Sequence, residues 1–198
     1  KEYWLNKIPY FPEFPHLPMR RNMSQCKEYR IHRLSETIDF ETWKAFKNTV
    51  REHSVSASAV LCAIYSRVLA KWSNQKDLLL NMTLFERKEF NPNVNAILGD
   101  FTKILPLEVH INKVDFWENA LQIQTEVLEA LDHKAFDGTE IIRELSRLNN
   151  GVGKALMPVV FTCVLFDSDE NWFEQIGKLR YAVTQTPQVF LDNQILEM

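Results

Sequence analysis

Pro158-Val159-Val160-Phe161-Thr162-Cys163-Val164-Leu165-Phe166 is apolar on both faces at strand spacing. A run of this kind belongs to a strand covered from two sides. It needs neighbouring strands and a packed layer, and the upstream sequence contains both. Leu78-Leu79-Leu80-Asn81-Met82-Thr83-Leu84 is a second buried-strand pattern, broken by Asn81 and Thr83, and Gly99 precedes a third strand over about 101–111. Between them lie helical patterns. Asp39 caps a helix over about 40–53 with Trp43, Phe46 and Val50 on one face. Ser56 opens a second helix through Val60, Leu61, Ile64, Val68, Leu69 and Trp72, apolar around much of its circumference and so expected to be central. Asp115 opens a long helix carrying Ala120, Ile123, Val127, Leu128 and Leu131, and a shorter helix covers 140–148. Helices and strands are mixed with no repeat period, which gives an α/β class: a layered sheet with helices packed against it.

The remaining segments are less regular. Residues 9–18 hold four prolines in ten positions, which excludes α-helix and imposes extended backbone; the interleaved Tyr10, Phe11, Phe14 and Leu17 predict a strap lying against a surface. Tyr29-Arg30-Ile31-His32-Arg33-Leu34 alternates as a half-buried strand does, and two short strands are expected over 181–185 and 187–191. Asp137-Gly138 breaks the long helix, Gly138 acting as its end. Asn91-Pro92-Asn93 is turn chemistry.

Bulk properties bound the function. The 198 residues suffice for one well-filled core. Twenty-three Lys and Arg against 26 Asp and Glu leave a net charge of −3, so no broad positive field exists to bind nucleic acid or an anionic membrane. Cys26, Cys62 and Cys163 are odd in number and widely spaced, which predicts reduced thiols in a cytoplasmic protein and no zinc site. No apolar run approaches the roughly 18 residues of a membrane span, so a soluble chain is expected. It starts without Met and in mid-pattern, as an excised part of something larger would.

Polar residues inside apolar strands are the informative positions, because burying an unpaired polar group costs roughly 1–7 kcal/mol. Five places qualify: Asn81, Asp100-Phe101-Thr102, Thr162-Cys163, Thr184-Gln185-Thr186 and Asp192. Strand alternation puts Thr162 on the face of Val160 and Val164, where it either bonds neighbouring backbone or serves chemistry. Asp192 either caps a strand end or carries protons. Asn81 and Gln188 either satisfy a sheet edge or contact a substrate.

The prolines before Leu17-Pro18, Ser56-Ala57-Ser58-Ala59 through Leu69-Ala70-Lys71-Trp72-Ser73, Gly99-Asp100-Phe101-Thr102, Pro158-Val159-Val160-Phe161-Thr162 and Thr184-Gln185-Thr186-Pro187-Gln188-Val189-Phe190-Leu191-Asp192-Asn193-Gln194 occur in one order over nearly the whole chain. Together they resemble the successive signatures of heterocyclization domains of nonribosomal peptide synthetases, within the condensation-domain superfamily. The resemblance implies a chloramphenicol-acetyltransferase-like lobe, with residues 1–27 as inter-lobe linker and strap and residues 28–198 as the C-terminal lobe. It implies a partner N-terminal lobe bearing paired aspartates, carrier and adenylation domains as further partners, and phosphopantetheine arms of the carriers as the only cofactor, with no metal and none bound directly. A carrier-bound aminoacyl thioester would be condensed with Cys, Ser or Thr and cyclodehydrated to a thiazoline or oxazoline, by the lobes together and not by this one alone. Asp192 and Thr162 match the family's residues for cyclodehydration; the expectation is a carboxylate in an apolar cleft, with Thr162 orienting it or bonding the adduct. Asn81, Cys163, Gln188 and Asp100 are the supporting or substrate-binding candidates. Cys163 stands where the family commonly has serine. The rival readings are an ordinary peptide-bond-forming condensation lobe and a non-catalytic docking scaffold for carrier proteins.

Asp132-His133-Lys134-Ala135-Phe136-Asp137-Gly138 imitates the His-His-x-x-x-Asp-Gly motif of condensation domains, which would make His133 a general base. Its place between the Gly-Asp-Phe-Thr and Pro-Val-Val-Phe-Thr segments favours a helix end instead.

Overall fold

The structure, a computed structural model, describes residues 1–20, 31–87, 91–111, 115–148, 157–165 and 188–197. Three helix starts follow from local capping. Asp39 Oδ1 accepts the Thr42 N–H ahead of α2 (Phe40–Glu52), Ser56 Oγ accepts the Ala59 N–H ahead of α3 (Ala57–Ser73), and Asp115 Oδ1 accepts the Glu118 N–H ahead of α4 (Phe116–Asp132). Asn74 closes α3 in the left-handed conformation at φ 56°, a role asparagine tolerates.

The strands β1 (Asp77–Phe85), β2 (Thr102–His110), β3 (Val159–Val164) and β4 (Leu191–Leu196) form a sheet in the order β2-β1-β3-β4. β1 pairs antiparallel with β2 along its whole length, and the β1–β3 and β3–β4 pairs are parallel. Leu78, Leu80 and Met82 of β1, Leu105, Leu107 and Val109 of β2, and Val159 and Phe161 of β3 join α3 and α4 in one apolar core. By the two-residue period, Leu79, Asn81, Thr83, Val160 and Thr162 point to the opposite face. Asn119, fully buried on α4, donates Nδ2–H to the His110 carbonyl at 2.9 Å and ties that helix to the end of β2.

The N-terminal residues belong to the same core. Helix α1 (Glu2–Lys7) buries Trp4 to 2% exposure, and the indole N–H donates to the His133 carbonyl at 2.9 Å. Lys7 bridges Glu108 of β2 at 2.8 Å and Glu126 of α4 at 3.3 Å. A 3-10 turn, Ile8–Tyr10, follows, with Pro9 in its first turn, where a missing N–H is not needed. The chain then runs extended, and the Glu13 carbonyl accepts the Leu79 N–H of β1 at 3.0 Å. Phe11, Phe14 and Leu17 are half-buried as a strap requires, whereas Tyr10 is exposed.

Several expectations are corrected. Residues 31–34 form no strand; they are coil, with Leu34 97% exposed, because no described strand lies alongside to pair with them. Helix α3 is central on one side only: Ala59, Cys62, Ala63, Ser66 and Leu69 are buried, while Ile64, Val68 and Trp72 face outward. Strand β4 begins at Leu191, where the strand over 187–191 was expected to end. Gln188 adopts φ 70°, and the Phe190 and Leu191 N–H groups both turn to the Pro158 carbonyl, at 3.0 and 3.4 Å. The expected strand over 181–185, the Thr184-Gln185-Thr186 triplet and Cys26 lie outside the described residues.

Gly138 does not end α4; it is the first residue of α5 (Gly138–Leu148). Asp137 caps this helix, its Oδ1 accepting the Thr139 N–H at 2.9 Å while Glu140 Oε2 accepts the Asp137 N–H at 3.4 Å. A Cβ at position 138 would collide with the Ile104 carbonyl of β2. Gly138→Ala is therefore expected to destabilise the fold by about 3 kcal/mol, since backbone cannot move aside as a side chain can. Denaturant unfolding of the variant checks this; an unchanged midpoint would show that the contact between α5 and β2 yields freely.

Candidate functional site

The polar residues of the sheet face turned away from α3 and α4 form a row across β1, β3 and β4. The Thr162 hydroxyl, on a residue 7% exposed, donates to Thr83 Oγ1 at 3.0 Å. In the β3–β4 register Thr162 stands opposite Gln194, and Val160 opposite Asp192. Gln194 Nε2 donates to Asp192 Oδ2 at 2.7 Å. Thr162 and Asp192 therefore share a face on adjacent strands, one step apart diagonally. Asn81 lies on the same face of β1, 6% exposed, and among the described residues its Oδ1 has no hydrogen-bond partner. A buried acceptor left unmet costs roughly 1–3 kcal/mol, so this oxygen is a place where an incoming N–H is welcome.

Thr83 completes this row and was passed over as a candidate. Its signal was present: it stands two residues after Asn81 in a leucine-rich strand, hence on the same face. With its oxygen occupied by Thr162, Thr83 keeps its own O–H for a further acceptor, so the two hydroxyls form a short donor chain.

The surroundings of Asp192 differ from expectation, and the remaining candidates lie elsewhere. Asp192 is exposed, and the described residues do not form the apolar cleft expected around it. Cys163 points to the helix-facing side with Phe161, away from Thr162; burial pushes its thiol up to about 11, with Glu197 adding to the effect. Gln188 is exposed in the turn before β4. Asp100 is exposed at the start of β2, where its Oδ1 accepts the Thr102 N–H at 2.9 Å; its bonds from the Thr102 side chain and N–H hold its carboxyl below the usual range. It lines a cleft of about 490 Å³ with Phe85, Glu86, Arg87, Gly99 and Phe101. The structure thus brings Asn81, Thr162 and Asp192 together and leaves Cys163, Gln188 and Asp100 apart from them. Among the described residues no group of His, Cys, Asp and Glu is arranged to hold a metal ion.

His133 serves the fold. Its ring stacks on Tyr3 at 3.7 Å, its Nδ1–H donates to the Glu129 carbonyl at 2.9 Å, and its own carbonyl holds Trp4. Lys134 pairs with Glu86 at 2.8 Å, and Lys103 reaches the same carboxylate at 2.6 Å. Lys103 and then Lys134 hold the Glu86 carboxyl down to about 2.

A family model described as Condensation domain matches residues 1–189. Bacitracin synthase 1 of Bacillus licheniformis is 36% identical over 203 residues, covering 100% of this chain and 4% of its own length. Phenyloxazoline synthase MbtB of Mycobacterium tuberculosis is 33% identical over 201 residues, covering 100% of this chain and 14% of its own length. Among solved structures, the EpoB NRPS cyclization-docking bidomain from Sorangium cellulosum superposes with a TM-score of 0.84 and 32% identity, over 99% of this chain and 40% of that one. The chain spans a small part of the curated relatives it matches. The layered, chloramphenicol-acetyltransferase-like fold expected from the sequence agrees with that superposition.

Two outcomes follow from the site's construction. His133→Ala, measured in the full-length protein, lowers the melting temperature through the lost stack on Tyr3 but leaves turnover within a few-fold of the parent; a loss on the order of 10²-fold is what removing a general base does. Glu86 has a depressed folded value, so its contribution to stability is present above its ordinary value of 4.5 and is lost as pH falls toward about 2. In Glu86→Gln, the stability difference from the parent should shrink across that window, read by unfolding at a series of pH values.

Proposed function

The chain belongs to the condensation-domain family, and from that premise we propose that it is the C-terminal lobe of a heterocyclization domain of a nonribosomal peptide synthetase. The observation that carries the reading is the polar row itself: a hydroxyl pair, buried Thr162 and half-buried Thr83, diagonally across the strand pair from the carboxylate of Asp192. Amide formation alone requires an amine to be brought to a thioester. Ring closure followed by loss of water requires proton traffic at an adduct, and a hydroxyl donor chain beside a carboxylate suits that second task. The kinship with a protein named phenyloxazoline synthase and with a bidomain named for cyclization supports the same choice.

The proposed reaction runs between two carrier-bound thioesters, each held on a phosphopantetheine arm supplied by a carrier domain. The amine of a cysteinyl, seryl or threonyl thioester attacks the donor carbonyl, an amide forms and the donor thiol leaves. The acceptor's side-chain sulfur or oxygen then adds to the new amide carbonyl, and proximity makes the five-membered closure favourable. Asp192 delivers a proton to the departing hydroxyl and receives one from the ring nitrogen. Thr83, its oxygen accepting from Thr162, donates its own O–H to the oxygen on which charge develops, and Asn81 Oδ1 accepts an N–H of the bound substrate. A facing N-terminal lobe would enclose this row.

Asp192→Asn keeps the size and most of the hydrogen bonding of the side chain but cannot carry the proton, and Thr162→Val keeps the shape while removing the hydroxyl. In the full-length protein both variants should still form the linear dipeptide and accumulate it uncyclised, Asp192→Asn more severely. Mass spectrometry of the carrier-bound product reads the difference, because the ring is lighter by one water. Normal ring formation by Asp192→Asn removes it as the acid and base; loss of the linear product as well assigns these residues to folding.

A further inference from the structure

We infer that residues 13–16 are a positioning strap for Asp192, clamped by Gln75 and acting through the contact of Phe14 with Phe190; the inference rests on the cyclodehydration role of Asp192. Gln75 is itself fixed, following the left-handed Asn74 and donating its N–H to the Ala70 carbonyl at 3.2 Å. Its Oε1 accepts the His16 N–H at 2.7 Å and its Nε2 donates to the Phe14 carbonyl at 3.3 Å. The bond from the Leu79 N–H to the Glu13 carbonyl adds a third attachment. Three hydrogen bonds thus pin four residues of a strap whose prolines already restrict it. One side chain comparable to backbone in reach, a glutamine using both ends of its amide, does most of the holding.

What the clamp holds is the Phe14 ring. It meets the Phe190 ring edge-on, with centroids 6.4 Å apart and planes at 67°. Phe190 lies two residues before Asp192, at the point where the chain leaves the turn of Gln188 and enters β4. Its N–H is fixed to Pro158, so its backbone is set by β3 and its ring is braced by the strap. Asp192 has a hydrogen bond to Gln194, two residues along the same strand. Among the described residues, the carboxylate's location is therefore inherited from the backbone of residues 190–192. A displacement of about 1 Å at a reacting group can cost on the order of 10² in rate, which makes a brace at Phe190 consequential for the step Asp192 performs.

The test compares Phe14→Ala, Phe14→Tyr, Gln75→Ala, Tyr10→Ala and Asp192→Asn in the full-length protein, reading linear and cyclised carrier-bound product together. Phe14→Ala and Gln75→Ala should lower the ratio of cyclised to linear product by roughly 10–100-fold while the two products summed stay within a few-fold of the parent. Phe14→Tyr, which keeps the ring, should restore the ratio, and Tyr10→Ala, exposed on the same segment, should leave it unchanged. Parent-like ratios in Phe14→Ala and Gln75→Ala, with Asp192→Asn accumulating linear product, overturn the strap and leave the role of Asp192 standing. A parallel fall of both products in these two variants overturns it in favour of folding. Normal ring formation by Asp192→Asn overturns the role of Asp192 and the strap with it.

Discussion

Strand β1 has to bond along both edges and pack on both faces, and the rest of the molecule is arranged around that requirement. β2 takes one edge along its full length; β3 takes the other at Asn81 and Met82, and the strap carbonyl of Glu13 takes it at Leu79. Leu78, Leu80 and Met82 fill the core while Asn81 and Thr83 turn away from it. A slip of one residue would carry the amide and the hydroxyl into the apolar layer and expel three large side chains. The register that secures the core is thus the same register that aligns Thr83 with Thr162.

The segment from Asp132 to Gly138 shows how one string of residues can resemble a catalytic motif and do structural work. Tyr3 and Trp4 of α1 rest on His133, Lys134 reaches Glu86 at the end of β1, and Gly138 lets α5 approach the backbone of β2. His133, Lys134 and Gly138 each contact a different element. It is the junction at which the N-terminal helix, the central strand and the edge strand meet.

Features governed by neighbours in sequence were legible in advance, and those governed by neighbours in space were not. Asp39, Ser56 and Asp115 announce helices because a cap bonds an N–H three residues away. The apolar runs at 78–84 and 158–166 announce buried strands because burial leaves its mark on every residue. Residues 31–34 misled because alternation states which side chains share a face without stating that a partner exists. The bond between Thr83 and Thr162 spans 79 residues and depends on parallel register, on which composition is silent. The exposure of Asp192 is likewise decided by what stands opposite β4. Family signatures pointed to Thr162 and Asp192 and the strand pattern to Asn81, but Thr83 and the physical surroundings of the row had to be seen.

Buried Cys62 and half-buried Cys163 carry a consequence for chemical compatibility. Burial raises Cys62 to about 12 and Cys163 to about 11. At neutral pH a thiol at the lower of these values is ionised in about one molecule in ten thousand, and only the thiolate attacks an acyl group efficiently. Under the proposed function, acyl thioesters would be open to capture on the protein's own sulfur by transthioesterification. Cys163 stands beside Thr162 in sequence, yet it faces the helix side and burial favours its protonated form, so in the proposed reaction this sulfur is a poor competing acyl acceptor.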